Sequence, residues 1–94
     1  MFIKLVRINE RATKDGIDFY LTEVSVNISQ ILYMSENSRL KRMLNEGKMN
    51  LNLHQGADFT DLQLNTKQTI VVVGSPSVIE TKMLKSSTKQ LLRG

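Results

Sequence analysis

The residues best placed to do chemistry lie in the last third of the chain. From Met1 to Asp61, Lys/Arg and Asp/Glu cancel, eight against eight. From Leu62 onward, Lys67, Lys82, Lys85, Lys89 and Arg93 face one acid, Glu80, and this segment carries the whole net charge of +4. At about 100° per helical residue, Lys82, Lys85, Lys89 and Arg93 fall within roughly 80° of one another. Such a stripe attracts a nucleic-acid backbone, a membrane surface or an acidic protein patch. No aromatic residue follows Phe59. A nucleic acid held there would therefore be gripped mainly by its phosphates, with little base reading. Just upstream, Gly74-Ser75-Pro76-Ser77 could offer backbone N–H groups and hydroxyls to an anion at a helix start. It lacks the second glycine and the Lys-Ser/Thr of a nucleotide loop. Capping alone accounts for its serines and proline.

Other reactive constellations are thin. His54 is the single histidine, and the chain has no cysteine. That excludes disulfides and thiolate metal sites, and one imidazole cannot build a histidine-based metal site. Asp58 and Asp61 could pair as general acid and base, but carboxylates at a turn are ordinarily solvated. The reading is a non-enzyme with no cofactor and no metal.

These side chains need elements to carry them. Phe2 to Ile8 reads as a strand, with Lys4 and Arg7 on opposite faces. Asp15-Gly16 signals a turn. Ile17 to Val26 is a second strand whose apolar parity changes, from Ile17, Phe19 and Leu21 to Val24 and Val26; this implies a bulge near Thr22-Glu23. Ile31 to Met34 is a short third strand segment. Between Ser35 and Gly47, Leu40, Met43 and Leu44 repeat at helical spacing, with Asn37 or Ser38 as N-cap and Gly47 as the stop. Met49 to His54 alternates as a strand, with Met49, Leu51 and Leu53 inward and Asn50, Asn52 and His54 outward. A turn around Gly56 precedes a strand at Phe59 to Leu64. Gln68 to Val73 is apolar on both parities, so it reads as a central strand. Ser77 and Glu80 form a capping box for a helix from Val78 to Lys85. Residues 86–94 form a candidate mobile basic tail. Leu84 and Leu91 would face the sheet.

The expected fold is α+β: one domain over residues 1–94, with a mostly antiparallel sheet of about five to six strands, a short middle helix and a C-terminal helix. Ninety-four residues support only a thin core, so assembly with a partner or with copies of itself is expected. The expected contact residues are Asn50, Asn52 and His54 on a strand edge, and Leu40, Met43 and Leu44 on the middle helix. No apolar run reaches the ~20 residues of a membrane span, and the N-terminus does not read as a signal peptide. A cytoplasmic protein without membrane contact is expected.

Three stretches, Phe2-Ile3-Lys4-Leu5-Val6-Arg7-Ile8-Asn9, Val26-Asn27-Ile28-Ser29-Gln30-Ile31-Leu32-Tyr33 and Ile70-Val71-Val72-Val73-Gly74-Ser75-Pro76-Ser77-Val78-Ile79, carry a recognisable pattern. They resemble the small family of flagellar FlbD proteins and short phage proteins. The segment Met34 to Asn50 and the Gly74-Ser75 junction depart from that pattern. The resemblance implies a small antiparallel sheet closed by a helix, without enzymatic activity, in a phage or bacterial accessory or structural protein of the host cytoplasm or virion. It carries over no functional residue. The expected function is a protein-interaction module that works on its own copies or on a protein partner. The alternative is a nucleic-acid-binding regulator using Lys82, Lys85, Lys89 and Arg93.

Overall fold

A computed structural model describes the backbone of residues 1–93 and the side chains through Ser86. The elements in order are β1 (Phe2–Thr13), β2 (Gly16–Asn27), a single 3-10 turn (Ile28–Gln30), β3 (Ile31–Glu36), α1 (Ser38–Asn45), β4 (Phe59–Leu64), β5 (Thr69–Val73) and α2 (Pro76–Arg93). The five strands form one sheet in the order β2-β1-β5-β4-β3, and every pairing is antiparallel. The α+β expectation holds at that level, with five strands among the described residues. The middle and C-terminal helices are both present.

The sheet curls. A flat sheet would set its edge strands β2 and β3 about 19 Å apart, at ~4.8 Å per strand. The four steps from Asn27 to Ile31 span at most about 14 Å, yet they join those edges. The concave face therefore wraps α2. Ile79 is fully buried there among Ile3, Leu5, Val26, Leu62, Ile70 and Val72, with Met83 packed beside it. The opposite face carries a second core of Ile8, Phe19, Leu40, Leu44 and Phe59. It is covered by α1 and by Met49, Leu51, Leu53 and Ala57 from the long loop before β4.

Two covers on two faces explain the parity change in β2. Val24 and Val26 pack toward α2, and Phe19 packs toward α1. The register with β1 runs unbroken from Phe2↔Asn27 to Thr13↔Gly16, so there is no bulge near Thr22-Glu23. Apolar residues switch parity because the covered face switches partway along the strand. The irregularity sits instead in β3, between Ile31 and Tyr33. β5 lies between β1 and β4, the central position its two-sided apolarity predicts.

Local capping agrees with the sequence at α1 and corrects it at α2. Asn37 caps α1, its side chain accepting from the Leu40 N–H at 2.9 Å, and Gly47 ends the segment at φ +70°. At α2 the Ser75 hydroxyl accepts from the Val78 N–H at 3.2 Å. The cap is therefore Ser75, with Pro76 in the first turn, where its missing N–H costs nothing; Ser77 is not the cap. Ser75→Ala should cost about 1 kcal/mol of stability and Ser77→Ala only a few tenths. Urea unfolding of the two variants checks this; a larger loss for Ser77→Ala would contradict the assignment.

Candidate functional site

The expected strand at Met49 to His54 does not form; these residues are coil with bends. Its inward side was legible, since Met49, Leu51 and Leu53 do pack into the second core. What replaces main-chain pairing is a side chain. Asn50 accepts from the Phe19 N–H at 2.8 Å and donates to the Phe19 carbonyl at 3.2 Å. A primary amide carries the same donor–acceptor pair as a peptide unit. Asn50 thus covers the outer edge of β2 at one residue, and is not an outward contact group. Asn52 and His54 are exposed. His54 Nδ1 accepts from the Gly56 N–H at 2.9 Å, a local turn contact. Among the described residues no group of three His, Cys, Asp or Glu could hold a metal ion.

Asp58 and Asp61 each have a structural partner. Asp58 pairs with Lys41, and Asp61 accepts from the Asn37 side chain at 2.9 Å. Both contacts tie α1 to the start of β4. The hydrogen bond and charge of Asp58 raise the Lys41 pKa. Leu40 and Leu44 are only 1% and 7% exposed. They were expected at a partner surface, but the helix spends this face on the second core, and Met43 packs against the same cluster.

Removing Asn50 should have two effects. Asn50→Ala leaves the Phe19 N–H and carbonyl without their partner, at a cost of about 1–2 kcal/mol. It also bares one more step of the β2 edge. The fall in melting temperature should be accompanied by stronger self-association in light scattering; an unchanged melting temperature would contradict the edge-covering role.

The open edge lies further along the same strand. The Ile28 N–H donates to the Met1 carbonyl, and antiparallel pairs alternate between bonded and non-bonded. The odd-numbered residues of β1 therefore bond to β2. Leu21, Glu23 and Ser25 of β2, which stand opposite even-numbered residues, turn their N–H and carbonyl groups outward. β2 pairs with β1 and lies at the end of the sheet, so no strand meets these groups among the described residues. Beside them, Val6 and Leu21 are exposed apolar side chains. The edge has no proline, and its charged side chains are engaged on the sheet faces, Glu23 with Lys4 at 3.8 Å and Asp18 with Arg11 at 3.9 Å.

The basic stripe is only partly in view. Lys82 and Lys85 are exposed on α2 and, among the described residues, have no ion-pair partner. The side chains of Lys89, Arg93 and Leu91 lie outside the described residues. Leu84 is 61% exposed, so it does not face the sheet as expected. Ile79 and Met83 do, because α2 starts at Pro76 and its buried side is set from there. Lys82 and Lys85 stand beside Phe2, Ile3 and Lys4 of β1 along a groove. Sequence reasoning gave Lys4 no part in this cluster, since nothing local places residue 4 beside residue 82. No helix of the described residues is long and apolar enough to cross a membrane. No family model, no curated protein and no solved structure matches the chain.

Proposed function

We propose that this chain is a non-enzymatic protein-interaction module that associates with copies of itself through the outer edge of β2, in the manner of a phage or bacterial accessory or structural protein. The observation that carries this reading is the run of outward, strand-ready backbone groups at Leu21, Glu23 and Ser25. From Leu21 to Ser25 the edge has no proline, no bulge and, among the described residues, no covering segment, and such a stretch is a template for another strand. Two β2 edges can meet about a twofold axis, an isologous contact that uses the same surface on both copies. Val6 and Leu21 then come under cover beside the new pairing.

The contact is small, at the low end of specific interfaces below about 1,200 Å², so association is expected at micromolar concentration. Light scattering over roughly 1 to 100 μM, spanning that affinity range, tests the reading. A mass that rises from one to two copies supports it, and a constant monomer mass would remove it.

A further inference from the structure

We infer that the groove between β1 and α2 receives an acidic, extended peptide segment of a partner protein, which adds as a strand to the Phe2–Leu5 stretch of β1. The inference rests on reading the chain as a protein-interaction module, and does not depend on its self-association. β1 has a second open edge. Its even-numbered residues turn their backbone groups away from β2, toward β5. β5 takes up only the stretch around Arg7 and Ile8. It then ends at Val73, and Gly74 at φ +121° turns the chain into α2. The Phe2 and Lys4 backbone groups therefore face the line along which β5 would have continued.

That line is an open trough. One part, of about 320 Å³, runs along Lys4, Leu5, Val6 and Val73 with Glu23 and Lys82 at its sides. The adjoining part, of about 310 Å³, is bordered by Phe2, Lys82, Lys85 and Ser86. Lys4 and Lys82 belong to both. Three lysines thus meet one carboxylate, Glu23, which is held loosely by Lys4 at 3.8 Å with both side chains exposed. A negatively charged occupant is favoured.

The edge itself selects among negative occupants. Phe2 and Lys4 present carbonyl acceptors as well as N–H donors. A phosphate chain supplies only acceptors and leaves the carbonyls unmatched. A peptide strand supplies both in alternation. Four residues of strand cover about 13 Å, the length of the stretch from Phe2 to Leu5. Phe2, 65% exposed, gives an apolar contact at one end.

The test uses the full chain and a fluorescein-labelled hexapeptide alternating Glu and Val, followed by fluorescence polarisation. Saturable binding at low salt is expected. Lys82→Glu combined with Lys85→Glu should weaken it about tenfold, the combined effect of two reversed exposed charge pairs. Both residues are solvent-exposed, so thermal unfolding should be unchanged. A hexapeptide N-methylated at alternate amides cannot pair as a strand and should not bind; this arm needs no variant protein. Absence of saturable binding, equal binding of the methylated peptide, or preference for a single-stranded oligonucleotide of equal charge would each overturn the inference. Sizing keeps the two surfaces apart: a chain that self-associates yet ignores the peptide refutes the groove alone.

Discussion

Phe59→Ala should lower the stability of the folded chain by about 3–5 kcal/mol, the usual cost of emptying a phenylalanine site in a core. Phe59 is 0% exposed. It packs with Ile8, Phe19, Leu40 and Leu44 in the core between the sheet and α1. Its carbonyl also accepts from the Asn37 N–H at 2.8 Å, so the same residue fixes the entry to α1. A domain of this size has a total stability of about 5–15 kcal/mol, and the loss would be about a fifth of it or more. Urea unfolding measures the effect. Phe59→Leu keeps most of the buried volume and should cost much less. The flexible side chains Met43 and Met49 pack against the same core and can shift to fill part of the cavity, which places the expected value toward the lower end. A loss under about 1 kcal/mol would mean that α1 and the loop before β4 do not close a true second core.

The second large effect concerns association. Glu23→Pro should abolish self-association and leave the monomer folded. The Glu23 N–H points away from β1, so proline removes no bond of the β1–β2 ladder, and an edge strand is where proline is tolerated. On the outer side the same change removes a donor that strand pairing needs and sets a ring in the partner's path. Glu23→Gln is the control. It keeps the N–H while losing the charge, and it should associate at least as well as the parent, since no carboxylate is then brought toward its twofold mate. Loss of association in both variants would point to a charge contact instead of strand pairing.

These two outcomes bracket what was legible in the residues. The α+β class and the central β5 followed from local signals: Asp15-Gly16, the Leu40/Met43/Leu44 spacing, and the two-sided apolar run from Ile70 to Val73. The polar ends of β1 and β2 did not. Glu10 to Thr13 is exposed and is held as strand by cross-strand pairing alone, which leaves no apolar alternation to read. Met49 to His54 misled for the opposite reason. Its alternation is real and buries the expected side, but Asn50 meets the edge with its side chain, and a hydropathy pattern cannot tell an amide side chain from a peptide unit. The open edges were hidden because an edge depends on strand order. Nothing local in Leu21, Glu23 and Ser25 says that β2 is outermost, and nothing in Lys4 says that β5 stops short of it. The lysines of α2 were visible from the start; the strand edge they flank was not.

Sedimentation velocity of the parent chain and of Glu23→Pro, each over a hundredfold range of concentration around the micromolar scale, tests the central claim most directly. The parent should pass from one copy to two as concentration rises, and Glu23→Pro should remain a folded monomer throughout. A parent that stays monomeric across the range, or a Glu23→Pro chain that dimerises as readily as the parent, would contradict association through the β2 edge.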